Sequence, residues 1–236
     1  MGKLGIYLLV NYPSRERFIE AVHVCQDFSV DFLEIGFPFS DPIADGDALE
    51  KASYETLKRY NLNDFINSLK EVQGIFKGKI YIMTYTNVVY SLGVSNFIER
   101  VGEISGVILA DLPLREIKLF EKPFKNHSIN LIRFLTPESR IKDIESALKG
   151  AEGFIYFVSK RGTTGGEFSL DEETIEKINL AKGKGVDVFI GFGIKNRNDV
   201  DLAYKVADGA IIGTKAVSEL EQGMDTFRSF VSGLKV

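Results

Sequence analysis

The chain has 236 residues, 44% of them hydrophobic, with 29 Lys and Arg against 33 Asp and Glu for a formal net charge of −4. That apolar content can bury a full core, and with no linker or composition shift along the chain, one domain spanning 1–236 is expected. Basic and acidic residues are mixed throughout, which argues against a nucleic-acid groove or an anionic membrane surface as the main partner.

The N-terminus, MGKLGIYLLVNYP, holds a brief apolar run, GIYLLV (5–10), without a full signal-peptide core or cleavage site. Nothing later approaches the ~20 apolar residues of a membrane span, so a soluble, cytoplasmic protein is expected. Helical spacing follows over 14–28 (SRERFIEAVHVCQDF), with Ser14 placed to cap its start. Its apolar stripe of Phe18, Ala21, Val22 and Phe28 includes Cys25, the only cysteine, which reads as core filler in a reduced compartment. His23 and His127 lie far apart, so neither a histidine-based triad nor a His/Cys metal site can be assembled, and no metal is expected.

Seven more β-branched and aromatic runs follow: DFLEIG (31–36), KIYIMTY (79–85), GVILAD (106–111), INLIRFL (129–135), GFIYFVS (153–159), VDVFIGF (186–192) and DGAIIGT (208–214). Between them helices are expected over 63–76, 94–104 and 198–207, with Asn63, Ser95 and Asn198 as caps. Alternating strands and helices imply a parallel sheet with right-handed crossovers, buried on both faces. Eight such units suit a closed (β/α)8 TIM barrel, typically of about 250 residues. The rival is an open doubly wound sheet. It usually carries a G-x-G-x-x-G turn after its first strand, and here that turn is NYPSRER, with no glycine.

In such a barrel the functional groups lie on loops after the strands, often with a phosphate held near the last two. The sixth run is followed by KRGTTGGEF (160–168), the seventh by GFG (191–193) and the eighth by GT opening a helix. Gly193, Gly213 and the Thr214 amide can approach an anion closely, and the Thr214 hydroxyl adds a donor. Glycines also end strands for steric reasons alone, and that reading stays open here. The segment 160–168, rich in glycine and threonine, is read as a lid.

The acids sit in LEIGFPFSDPIADG (33–46). Alternation sends Leu33 and Ile35 to one strand face and Phe32 and Glu34 to the other. A glutamate at the barrel mouth would be partly desolvated and its pKa raised, while Asp45 sits on a loop stiffened by Pro38, Pro42 and Gly46. Two carboxyls in different environments can divide acid and base roles. The competing reading is an edge glutamate in a salt bridge and an aspartate capping the next helix; the acid pattern alone leaves both open.

LEIGFPFSDPIADG closely resembles the signature of the tryptophan synthase α subunit family, and MTYTN (83–87), ILADLPL (108–114), IYFVSKRGTTG (155–165), GFGI (191–194) and GAIIGTKAV (209–217) follow in that family's order. The resemblance covers nearly the whole chain. It implies a (β/α)8 lyase that cleaves indole-3-glycerol phosphate to indole and glyceraldehyde 3-phosphate. Glu34 matches the catalytic glutamate that shuttles a proton between the glycerol hydroxyl and indole C3. Asp45 matches the aspartate that accepts from the indole N–H, and Tyr156 the active-site tyrosine. Phe192 matches an aromatic lining the indole pocket; Gly165, Gly193, Gly213 and Thr214 match phosphate-site positions; Thr164 matches the lid threonine. Asp111 aligns with an aspartate tied to communication with the partner. Pro38, Asp41 and Asn87 fall where the family faces its β subunit, which carries pyridoxal phosphate (PLP) and receives indole through a tunnel; an α2β2 complex is implied, with no cofactor in this chain.

Four departures accompany the resemblance. The chain begins almost at its first strand, without the helix that usually covers the barrel's bottom, so a less protected underside is expected. NYP (11–13) replaces Gly-Asp-Pro, Asp47 stands where proline commonly follows IADG, and Lys160 stands for arginine. None removes a catalytic group. Besides the partner-activated lyase, the residues leave open a standalone lyase on the same substrate and a weakly catalytic subunit that binds a phosphorylated ligand and switches its partner. Another phosphate-binding barrel, such as a sugar-phosphate isomerase, is opposed by the acid motif.

Overall fold

The computed structural model describes residues 2–159 and 170–235. Its strands are β1 (Lys3–Leu9), β2 (Phe32–Gly36), β3 (Lys79–Thr84), β4 (Gly106–Leu109), β5 (Asn130–Leu131), β6 (Arg133–Leu135), β7 (Phe154–Val158), β8 (Asp187–Gly191) and β9 (Gly209–Ile212). The helices are α1 (Arg15–Asp27), α2 (Asp47–Leu57), α3 (Leu62–Ile75), α4 (Thr86–Leu92), α5 (Val94–Val101), α6 (Ile117–Asn126), α7 (Ile141–Leu148), α8 (Glu172–Ala181), α9 (Arg197–Val206), α10 (Thr214–Gln222) and α11 (Met224–Leu234). Every strand pairing is parallel, in the order β5-β4-β3-β2-β1-β9-β8-β7-β6.

The run expected over 129–135 is therefore one barrel strand interrupted at Ile132: its first half pairs with β4 and its second with β7. The Ile132 N–H still donates to the Val107 carbonyl at 2.9 Å, so the ring closes through the break. This is the eight-fold parallel barrel that the alternation of elements predicts.

Side chains divide as a period of two requires. Leu33, Ile35, Ile80, Ile82, Ile155, Phe157, Val188 and Ile190 pack outward beneath the helices. Tyr7, Phe32, Tyr81, Met83, Phe154, Tyr156, Phe189 and Ile211 fill the interior. At the barrel's bottom Phe32 stacks on Phe189 at 5.1 Å, and Phe189 on Phe154 at 4.5 Å. Lys3 lies over the Phe189 ring and pairs with Asp187. The underside expected to be poorly protected is thus an aromatic layer with an ion pair across it, and its rings are buried.

Ser14 caps α1, its hydroxyl accepting from the Arg17 N–H. The other three caps lie earlier than expected. Asn61, not Asn63, caps α3, with the Asp64 carboxylate accepting from the Asn61 N–H in return. Asn196, not Asn198, caps α9 through the Asp199 N–H. Gly93, not Ser95, precedes α5, with φ of 78°, a left-handed turn between α4 and α5 that favours glycine. Cys25 is buried in the α1 stripe. Among the described residues no helix is long and apolar enough to cross a membrane, and no cluster of His, Cys, Asp or Glu could hold a metal ion.

Candidate active site

Residues at or just after the C-terminal ends of β1, β2, β3, β7, β8 and β9 surround a cavity of about 210 Å3, lined among others by Tyr7, Glu34, Asp45, Tyr156, Phe192 and Thr214. Its walls depend on two glycine–tyrosine contacts between neighbouring strands. A Cβ at Gly36 would lie 2.1 Å from the Tyr7 hydroxyl, and one at Gly191 2.3 Å from the Tyr156 hydroxyl. Only glycine at these inward positions lets both phenols lie flat against the strand beside them.

Glu34 is not an edge residue: β2 lies between β1 and β3, and Glu34 is register partner to Tyr7 and Tyr81. It is 1% exposed, and its Oε2 has no hydrogen-bond partner among the described residues. Burial, with a further contribution from Asp45, pushes its carboxyl up to about 8. A buried carboxyl without a compensating cation is stable as the neutral acid.

Asp45 does not cap the following helix; Gly46 occupies that position. Its Oδ2 instead accepts from the Tyr85 hydroxyl at 3.2 Å. Burial raises the Asp45 carboxyl to about 6, the Tyr85 hydrogen bond opposes that rise, and Glu50 adds to it. Asp47, the departure after IADG, begins α2, where an acid suits the helix N-terminus. The capping and salt-bridge reading of the two acids is thereby set aside: Glu34 and Asp45 face one cavity, one neutral and the other ionised near pH 7.

Tyr156 is buried between Phe134 and Phe192, with ring centroids at 5.1 and 6.0 Å. Burial first, then Glu34, Tyr7 and Asp45, raise its hydroxyl well above the ordinary tyrosine value, so it remains a neutral donor. Phe192 holds a left-handed φ of 73°, and Gly193 follows at 79°. The Ser159 hydroxyl donates to the Phe192 carbonyl at 2.6 Å and so pins this turn. Strained backbone of this kind persists where surrounding contacts fix it.

At the other end of the cavity Gly213 precedes α10 and Thr214 begins it. The first-turn amides of a helix have no carbonyl four residues back to accept them, and they attract anions. A Cβ at Gly213 would meet nothing nearer than the Tyr7 Cβ at 3.8 Å, so packing within the chain does not demand glycine there. Lys195 and Lys215 also line this end.

Of the surface positions, Asp41 and Asn87 are exposed and Pro38 is buried, so Pro38 sits beneath that surface rather than in it. Ile43 and Tyr90, next to them in the chain, are 71% and 74% exposed. Asp111 accepts from the Thr86 N–H at 2.7 Å and from the Thr86 hydroxyl at 2.8 Å, tying the start of α4 to the loop after β4. Thr164, Gly165, Lys160 and the lid segment lie outside the described residues.

Sequence reasoning missed Tyr7, Tyr85, Leu49, Met83, Lys195, Lys215 and Ser218, all of which line the cavity except Tyr85, which holds Asp45. The signal for Tyr7 was its place at an inward position of the first strand. Its relation to Glu34 depends on inter-strand register.

Residues 3–236 match the family model for the tryptophan synthase alpha chain. The tryptophan synthase alpha chain of Karelsulcia muelleri is 33% identical, with 97% of this chain and 93% of that protein covered. A structure of Mycobacterium tuberculosis tryptophan synthase superposes with a TM-score of 0.90 at 25% identity, covering 99% of this chain and 91% of that one. The tryptophan synthase complex from Pyrococcus furiosus gives a TM-score of 0.86 at 25% identity, covering 99% and 97%. With a family match over almost its full length, the chain belongs to the tryptophan synthase alpha chain family.

Proposed function

We propose that this chain cleaves indole-3-glycerol phosphate to indole and glyceraldehyde 3-phosphate, with Glu34 and Asp45 as the reacting acids and a PLP-bearing β subunit as its activating partner. The observation that carries the reading is the pair of carboxyls on one cavity, raised to about 8 and about 6. At neutral pH Glu34 holds a proton to give and Asp45 holds a negative charge.

The neutral Glu34 protonates indole C3, and Asp45, accepting from the ring N–H, stabilises the positive charge that develops on the ring. Glu34, now a carboxylate, takes the proton of the glycerol hydroxyl on the carbon attached to C3. That oxygen forms the aldehyde as the carbon–carbon bond breaks, and the bonding pair returns to the ring and restores indole. One proton moves from the hydroxyl to C3, so Glu34 ends as it began. Tyr156 borders the ring as a neutral donor, Phe192 forms the aromatic wall, and Gly193, Gly213 and Thr214 hold the phosphate; the family resemblance adds Thr164 and Gly165 to the substrate-binding positions.

The exposed Ile43 and Tyr90 beside Asp41 and Asn87 favour docking of the β subunit on this face, in an α2β2 assembly within the cytoplasm. This chain uses no metal or cofactor in the scheme, and PLP belongs to the partner. The test is indole release from indole-3-glycerol phosphate with and without a β subunit, comparing wild type with Glu34→Gln and Asp45→Asn. The chain has no tryptophan, so product indole is followed by fluorescence against little background. Release that the partner stimulates and both substitutions abolish supports the reading. Stimulation of the β subunit by a chain that itself releases no indole overturns it.

A further inference from the structure

We propose that Tyr85 is a positioning residue of this reaction, acting through Asp45: its hydroxyl bridges two successive residues of the acid loop and fixes the carboxylate against the cavity. The Tyr85 oxygen accepts from the Ala44 N–H at 3.1 Å and donates its single proton to Asp45 Oδ2 at 3.2 Å. Its ring stacks on Phe39 of the same loop, centroids 5.1 Å apart. On the backbone side the next residue, Thr86, is held twice by Asp111. Tyr85 is therefore a buried strut from the end of β3, itself tied through Thr86 to the loop after β4, to the loop after β2, and it does not line the cavity itself.

Four other groups face Asp45 electrostatically: Glu34 from β2, Glu50 from α2, Tyr7 from β1 and Tyr156 from β7. Glu50 opposes its ionisation, whereas Glu34, neutral where Asp45 titrates, does not. Among the described residues Tyr85 alone donates a hydrogen bond to it, and a donor favours the charged form. The strut thus sets both the place of the carboxylate and the pH at which it becomes charged.

The proposal rests on the role given to Asp45, and the experiment separates the two. Indole release is measured across the neutral pH range, with the β subunit present, for wild type, Tyr85→Phe and Asp45→Asn. Tyr85→Phe is expected to move the acid limb of the profile up by about one pH unit, costing up to roughly tenfold in rate below the limb. The loss falls on kcat, with KM little changed, because the hydroxyl lies outside the cavity. Site-specific 3-fluorotyrosine at position 85, a stronger donor of nearly the same volume, is expected to move the limb down. A carbon-13 carboxyl NMR titration of Asp45 in Tyr85→Phe reads the same displacement without catalysis. If Asp45→Asn stays active, the role of Asp45 fails and takes the proposal with it. If Asp45→Asn is inactive while the limb and the titration stay put in both Tyr85 variants, the positioning role alone is overturned.

Discussion

The Tyr156 hydroxyl occupies the space that a side chain on Gly191 of the neighbouring strand would need, 2.3 Å from where its Cβ would stand. The phenol is packed against Phe134 and Phe192, so the space left for it to yield is the cavity it lines. Gly191→Ala is therefore expected to push Tyr156 into the cavity, lower kcat/KM at least tenfold and cost about 1–3 kcal/mol of stability. Steady-state kinetics and urea unfolding check both. Wild-type activity in a stably folded Gly191→Ala chain would show that Tyr156 need not lie flat on β8.

Much of the fold is legible because its signals are local and repeated. Each strand is a short apolar run, each helix an amphipathic stripe, and their alternation admits few topologies. The inward direction of Glu34 follows from period two alone, and the structure has Leu33 and Ile35 on the outer side. What stayed hidden depends on register between strands or on choices of one or two residues. The helix starts at Asn61 and Asn196 both read Asn-x-x-Asp, masked by a second asparagine two residues on. The break at Ile132 leaves a run as apolar as an unbroken strand. Tyr85 entered the resemblance as part of MTYTN, but its hold on Asp45 joins residues 40 apart in sequence.

Glu34 sets a conflict between stability and catalysis. Its carboxyl ionises near the ordinary glutamate value of 4.5 when unfolded and at about 8 when folded. Between those values the folded chain binds more protons than the unfolded chain, so stability falls as pH rises through that window. The contribution is fully present below the unfolded value and lost above the folded one. Glu34→Gln removes that penalty and is expected to be inactive yet more stable than wild type, by on the order of a few kcal/mol above pH 8 and by little near pH 4. Thermal unfolding across pH decides it. A variant whose advantage does not grow with pH would contradict a neutral Glu34 in the folded chain.

The same two groups predict the shape of the rate profile. Asp45 must be charged and Glu34 protonated, so kcat/KM is expected to rise with pH through about 6 and to fall through about 8. The upper limb reflects both groups, since the charge on Asp45 raises the cost of ionising Glu34. A profile that keeps rising past pH 8 would mean that Glu34 acts only as a base, and the proton for C3 would then have to come from elsewhere.

Gly213 separates a glycine kept for packing from one kept for a ligand. A Cβ there meets only the Tyr7 Cβ, at the ordinary contact distance of 3.8 Å, and so intrudes on the cavity more than on the protein. Gly213→Ala is expected to melt close to wild type but to raise KM roughly tenfold and weaken inhibition by inorganic phosphate, because the methyl stands where phosphate oxygens approach the first-turn amides of α10. Thr214→Val, which removes a hydroxyl donor to a charged group, is expected to cost about 1.5–3 kcal/mol of binding. Both effects should vanish when inhibition by indole, which lacks the phosphate, is measured instead. A Gly213→Ala chain that binds phosphate normally would place the anion elsewhere in the cavity, with Lys195 and Lys215 the nearest remaining cations lining it.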